Sequence, residues 1–280
     1  MCQKGRARSW AANMASMGVR REIVLEGGCQ TPGVVRVGDT VRRPAGSPFV
    51  HELLRYMEDV GFAGSPRLLG MDEQGREVLT FVEGQVFHQH GERRLSEKQL
   101  TNSAALIRRL HDVTEGKELA AGGEIVAHND LGPHNTVFVG DEPVAFIDWE
   151  GAAPGTRLFD LANAIWSFAD VGECGDAVEE QARRVRLMCD AYGWDDPGGI
   201  VEEIYADWRR ALANHERAGR QGPARVFERM VRWMSANAEE LKACAGSSHP
   251  DPEHEGGRNP VRSRPPRPAG SVREPAANST

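Results

Sequence analysis

No stretch of the 280 residues approaches the roughly 20 consecutive apolar positions that span a bilayer, so a membrane-spanning helix is not expected. The five cysteines (Cys2, Cys29, Cys174, Cys189, Cys244) are scattered, odd in number and without paired spacing. That usage excludes a disulfide scaffold and a cysteine-based zinc module, and it suits a reducing, cytoplasmic compartment. An excess of positive charge is also missing. A net charge of −7 argues against nucleic acid as a main partner. The opening MCQKGRARSWAANMASMG carries basic residues but no apolar signal-peptide core. Residues 1–20 are therefore expected to be a disordered arm, or to begin with an upstream start-codon artefact, the true start being Met14 or Met17.

What the chain does hold is concentrated in VAHNDLGPHNTVFVGDEPVAFIDWE, residues 126–150. His128, Asp130 and Asn135 stand in the order H-x-D-L-x-x-x-N, and Asp148 follows in FIDWE. Gly132-Pro133 breaks any helix, so a loop is expected to aim Asp130 and Asn135 into one site. TVFVG and PVAFI read as two strands turning at Gly140-Asp141, a hairpin that would fold Asp148 back towards Asn135. A zinc reading through His128, Asp130 and His134 has neither a Cys pair nor helical His spacing behind it. An oxygen set of the magnesium type fits the residues better.

The order H-x-D-L-x-x-x-N and then D-x-E is close to the protein-kinase signature, with Asn129 for its Arg and Glu150 for the Gly of its DFG. The whole pattern resembles the aminoglycoside phosphotransferase family of the protein-kinase-like superfamily. That resemblance implies an α+β, two-lobed fold, with a small antiparallel-sheet N-lobe and a mainly helical C-lobe. It implies ATP and Mg2+ as cofactors and a small hydroxylated molecule as phosphoryl acceptor. Asp130 would be the catalytic base or orienting group, and His128 is grouped with it, more as a loop brace than as a base. Asn135 and Asp148 would be magnesium ligands, with Glu150 as a further, outer one. Phosphoryl transfer needs these groups because it is carried by positioning and charge neutralisation rather than by covalent help from the protein.

The remaining segments fall into place around that stretch. REIVLEGG ends in Gly27-Gly28, a turn expected to cover nucleotide phosphates with backbone N–H groups. VVRVGDTVRRP alternates around Gly38-Asp39 as a hairpin, but it has no Lys where kinases place one. Arg42 is the nucleotide-site candidate in its stead, with Arg43 on the opposite face. The helix FVHELLRYMEDVGF carries an apolar stripe of Val50, Leu53, Leu54 and Met57, and Gly61 stops it. On this helix Glu52 is the better electrostatic partner for Arg42, although His51 lies near the same turn. PRLLGMDEQGREVLTFVEG reads as a second hairpin. Its end, with Thr80 and Val82, would be the hinge whose backbone meets the adenine edge.

Past Gly84 the pattern turns helical. Ser96 and Gln99 have capping-box spacing at the head of a helix ending near His111. Pro154-Gly155 is expected to be a turn, and Asp160 in the helix after it would brace the catalytic loop. Helices are expected over about 176–193, 197–218 and 223–244, with most of their charges on solvated faces. The tail after Gly246 holds seven of the sixteen prolines and almost nothing apolar, a disordered composition. The expected domains are thus 21–84 for the nucleotide lobe, 85–245 for the catalytic lobe and 246–280 for the tail. A different class of function competes with the enzyme. The missing Lys and the ambiguous helix acid would also suit a catalytically weak or inactive nucleotide-binding or immunity-type module. A protein kinase proper is disfavoured by DWE in place of DFG and by the lack of an APE-like element.

Overall fold

The structure is a computed structural model, and it describes residues 21–25, 33–87 and 94–247. Gly27 and Gly28, the residues before Arg21 and those after Ser247 lie outside the described residues.

A five-stranded antiparallel sheet comes first, in the order β1-β2-β3-β5-β4. Its strands are β1 (Ile23–Val24), β2 (Val35–Val37), β3 (Thr40–Pro44), β4 (Leu68–Met71) and β5 (Arg76–Thr80). β3 occupies the centre of the sheet, and its register on β5 sets Arg42 opposite Val78 and Arg43 opposite Glu77. Helix α1 (Pro48–Asp59) follows β3. Ser47 caps it by accepting the Val50 amide at 3.2 Å, and Pro48 supplies a preset φ at the first helical position. Val50, Leu53, Leu54 and Met57 are all buried, as their helical spacing predicts. The helix ends with Phe62 N–H bonded to Met57 O and Gly61 N–H to Glu58 O, the paired bonds of a Schellman motif.

The chain then crosses to a mainly helical part. The crossing is pinned to the next hairpin by mutual backbone bonds between Gln85 and Phe138 (2.9 and 2.8 Å). Gly84 makes this approach possible. Its φ is +150°, and a Cβ there would lie 2.5 Å from Val137 and 2.6 Å from the Phe138 carbonyl. Helix α2 (Glu97–Thr114) opens with the expected capping box, Ser96 and Gln99 satisfying each other's backbone N–H groups. Four helices complete this part: α3 (Arg157–Ala169), α4 (Val178–Tyr192), α5 (Pro197–Arg217) and α6 (Gln221–Gly246). α6 thus runs to Gly246, where the change to tail composition begins. The core lies among these helices, with Leu100, Ile107, Phe168, Met188 and Trp208 fully buried in it. Among the described residues no helix is long and apolar enough to cross a membrane.

Two short ladders hold the loops between α2 and α3. β7 (Thr136–Val139) and β8 (Glu142–Phe146) form the hairpin turning at Gly140-Asp141. β6 (Ile125–Ala127) pairs with β9 (Ala153–Gly155), Val126 opposite Pro154. Pro154-Gly155 is therefore a strand and not the turn its composition suggests. The ladder also takes the Glu124 N–H to the Gly155 carbonyl at 2.8 Å. Pairing with a strand 28 residues away is a tertiary demand that overrides local turn chemistry.

Candidate functional site

The β6–β9 ladder and the β7–β8 hairpin clamp two loops between them. Loop 128–135 leaves β6, and loop 147–152 leaves β8 and returns through β9. Ile147 N–H donates to the Asn135 carbonyl at 2.9 Å, so the two loops touch where their polar residues stand.

Asp130 and Asn135 are joined directly. The Asn135 amide Nδ2 donates to Asp130 Oδ2 at 2.8 Å and to the Asp130 carbonyl at 2.9 Å. With both N–H groups used, the Asn135 amide oxygen is left as an acceptor. The Asp130 side chain is half exposed, and His134 Nε2 stands 3.5 Å from its Oδ1. Burial works to raise the Asp130 pKa, but the His134 bond and charge and the Asn135 bond outweigh it. Asp130 is held below the ordinary carboxylate range. It is thus ionised at neutral pH and turned to open space, as an acceptor of a hydroxyl hydrogen must be.

Asp148 has left-handed backbone (φ 62°), unusual outside glycine and concentrated at functional sites. Its Oδ1 meets Arg43 Nη2 at 3.1 Å, and the same Nη2 donates to Glu150. Arg43 therefore bridges the two acids of the FIDWE loop from the centre of the sheet. Arg42 lies on the other face, donating to Thr40 Oγ1 at 2.7 Å, with its Nε 3.8 Å from Asp72. The strand offers the site Arg43, and the register turns Arg42 away from it. Helix α1 is equally specific. Glu52 is exposed with no ion pair among the described residues, whereas His51 Nε2 donates to Glu77 at 2.7 Å. Glu77, on β5, is a residue that sequence reasoning missed. Thr80 ends β5 with its hydroxyl accepting the Arg67 N–H at 2.9 Å, and Val82 is half-buried in the crossing segment.

His128 is fully buried, with its ring 4.6 Å from that of Trp149. Its Nε2 donates to the Ile147 carbonyl at 3.1 Å, one residue before Asp148. Burial lowers its pKa below the usual histidine value, so it is neutral at neutral pH. A neutral ring packed against Phe146 and Trp149 joins the two loops. Behind it, the fully buried Asp160 carboxylate accepts His128 N–H at 3.1 Å, Asn129 N–H at 2.8 Å and His111 Nε2–H at 3.0 Å. The chain of bonds continues through the contact of His111 Nδ1 with the Tyr192 hydroxyl at 2.8 Å, and that hydroxyl oxygen accepts from Arg157 at 2.9 Å. Burial opposes the Asp160 charge, but the hydrogen bonds from His111 and the Asn129 amide outweigh it and lower its pKa. Asn129, like Asp148, has left-handed backbone (φ 64°), and Asp160 is what holds its amide there.

The donor set can be tested for magnesium. The Asn135 amide oxygen, Asp148 and Glu150 are hard oxygen ligands, which suit Mg2+. Asp148 and Glu150 already hold a cationic group between them, the Arg43 guanidinium. Among the described residues no three His, Cys, Asp or Glu side chains form a cage that would hold a metal alone. That is consistent with magnesium carried in by phosphates and held by one or two carboxylates. The residues fit.

Comparison with known proteins bears on this geometry. Residues 116–197, spanning both loops and α3, match the model of the phosphotransferase enzyme family. The trifolitoxin immunity protein of Rhizobium leguminosarum bv. trifolii is 36% identical over 210 residues, 65% of this chain and 79% of that one. The structure of APH(2″)-IIa in complex with gentamicin superposes with a TM-score of 0.54 at 11% identity, over 85% of this chain and 99% of that one. The streptomycin–ATP ternary complex of APH(2″)-IIa gives 0.51 at 13% identity, over 80% and 96%. The two-lobed, protein-kinase-like α+β fold is thus the fold of this protein. The chain belongs to the phosphotransferase enzyme family.

Proposed function

We propose that this protein is an ATP-dependent, magnesium-requiring phosphotransferase of the cytoplasm that phosphorylates a hydroxyl of a small molecule. The observation that carries the reading is the joined pair of loops. An ionised, half-exposed Asp130 is bonded to Asn135, and Asp148 and Glu150 face the strand cation Arg43. In the reaction the acceptor hydroxyl gives its proton to the Asp130 carboxylate. Its oxygen forms the new bond to the γ-phosphorus, and the bond from that phosphorus to the β-bridging oxygen breaks to leave ADP. Asp130 orients the hydroxyl and takes its proton late, which a loose transition state permits. The Asn135 oxygen and Asp148 would hold magnesium, with Glu150 as the outer ligand, and the ion would neutralise phosphate charge. Arg43 takes the phosphate-binding role expected of Arg42, and its planar fork suits two phosphate oxygens at once. Gly27-Gly28 would cover the phosphates, and the backbone from Thr80 to Val82 would receive the base.

The acceptor class is open to direct test. Purified protein with ATP and Mg2+ is offered aminoglycosides, choline, sugars, hydroxyl amino acids and macrolides, and ADP release is read. The expected result is acceptor-dependent turnover that disappears with EDTA and falls by orders of magnitude in Asp130→Asn. Release that ignores every acceptor, or an Asp130→Asn variant as active as the wild type, defeats the assignment.

A second reading has its own support. The 36% identical relative is named an immunity protein, and here Arg43 is ion-paired with both acids of the metal loop. A module conferring immunity through nucleotide binding would bind ATP and transfer nothing. The two readings separate at turnover and not at binding.

A further inference from the structure

We propose that Glu77 is the positioning carboxylate of the strand cation, and that His51 and the Gly46 amide hold Glu77 in place. This rests on the reading of Arg43 as a phosphate-binding group. Its consequence is that the cation is anchored to the sheet, and among the described residues helix α1 is tied to it through His51 and Glu77.

The register makes the pair. Glu77 on β5 stands directly across from Arg43 on β3, so the two side chains share one face of adjoining central strands. Glu77 is 3% exposed and Arg43 is 8% exposed. Arg43 Nε stands 3.3 Å from Glu77 Oε1, an ion pair at the inner end of the guanidinium. The other carboxylate oxygen, Oε2, accepts His51 Nε2–H at 2.7 Å and Gly46 N–H at 2.9 Å. A side chain at position 46 would press on that oxygen at 3.0 Å, so the β3–α1 connection is closed tightly over it. One carboxylate therefore ties together the strand cation, the loop after it and the first turn of α1.

Charge balance explains why such a tie is needed. The outer end of Arg43 faces two acids, Asp148 and Glu150, and a guanidinium with no acid behind it would be drawn wholly onto them. Glu77 offsets that pull from the opposite end. Bonds to His51 and Gly46 satisfy its second oxygen, which a carboxylate this deeply buried requires. Glu52 sits next to His51 on α1 but is exposed and takes no part.

The test uses the full chain and two measurements. Calorimetry with Mg·ATP is run on the wild type, Glu77→Gln, Glu52→Gln, His51→Ala and His51→Gln, and adenosine binding is followed in amide NMR spectra. Loss of the group that orients a binding residue typically costs about 10–100-fold, so Glu77→Gln should weaken ATP at least tenfold. Adenosine, which has no phosphates, should bind Glu77→Gln as it binds the wild type, an outcome that general damage to the fold would not give. Glu52→Gln should bind as wild type, and His51→Gln should recover what His51→Ala loses because its amide can donate to Oε2. The second measurement is a urea double-mutant cycle of Arg43→Met with Glu77→Gln. It should be non-additive by about tenfold in the unfolding constant, and the same cycle with Glu52→Gln should be additive. Wild-type ATP affinity in Glu77→Gln, an equal loss in Glu52→Gln, or an additive Arg43–Glu77 cycle overturns the proposal. A wild type that binds no Mg·ATP defeats the nucleotide reading instead, and the urea cycle then still decides whether Glu77 holds Arg43.

Discussion

Asp160→Asn is the substitution whose effect the structure fixes most closely. The buried carboxylate accepts three hydrogen bonds, from His111 and the His128 amide at Oδ2 and from the Asn129 amide at Oδ1. An asparagine amide has one oxygen. Placed at the Oδ2 position it keeps His111 and His128, and its NH2 then faces the Asn129 N–H, donor against donor. The loss is one charge-assisted bond, about 1.5–3 kcal/mol, together with a stranded buried donor at about 1–3 kcal/mol. Relief from burying a charge offsets part of this, leaving roughly 2–4 kcal/mol. A domain of this size melts about 2–4 °C lower per kcal/mol, so the melting temperature should fall by roughly 5–15 °C. Scanning calorimetry at neutral pH reads it. The released amide belongs to Asn129, whose left-handed backbone sets the direction of Asp130, so turnover should fall beyond what the unfolded fraction explains. A variant melting within about 2 °C of wild type would refute the reasoning, because the Asn129 N–H cannot exchange an ionised acceptor for a facing donor at no cost.

Two further outcomes follow from burial and backbone. His128 and Asp160 both have folded-state pKa values below their unfolded ones, so the unfolded chain binds more protons as pH falls. Their stabilisation is complete above about pH 6.5 and is lost on acidification, His128 first and Asp160 below about pH 4. The urea midpoint should therefore drop from pH 7 to pH 5, and drop less in His128→Gln; a midpoint that rises over this range contradicts the assignment. Gly84→Ala sets a Cβ against Val137 and the Phe138 carbonyl at φ +150° and should cost about 1–3 kcal/mol or more in urea unfolding. Gly140→Ala, with nothing near its Cβ, should cost only about 1–2 kcal/mol from its φ of +64°. Equal losses at the two positions would remove the steric argument.

The parts legible in the sequence are those whose signal is local. The stripe on α1, the Ser96–Gln99 capping box and the Gly140-Asp141 turn are each set by residues a few positions apart. The Asp130–Asn135 contact is equally local, spanning one loop. Three features were not legible, because each depends on which surface another segment presents. Alternation places Arg42 and Arg43 on opposite faces of β3, but only the packing of the sheet decides which face meets the FIDWE loop. Glu77 reads as an ordinary strand residue until the register brings it across from Arg43. Pro154-Gly155 reads as a turn until β6 lies beside it. A polar pair in REVLT opposite an arginine in TVRRP was the one available hint, since a central strand buries a charge only against a partner.

The central claim is that Asp148 belongs to a magnesium–nucleotide site, and calorimetric titration of ATP tests it most directly. Wild type and Asp148→Asn are each titrated with and without Mg2+. The account predicts ATP binding that strengthens with Mg2+ in the wild type and loses that dependence in Asp148→Asn. Binding indifferent to both the metal and the substitution would contradict the magnesium assignment, and a folded protein that binds no nucleotide would contradict the phosphotransferase reading itself.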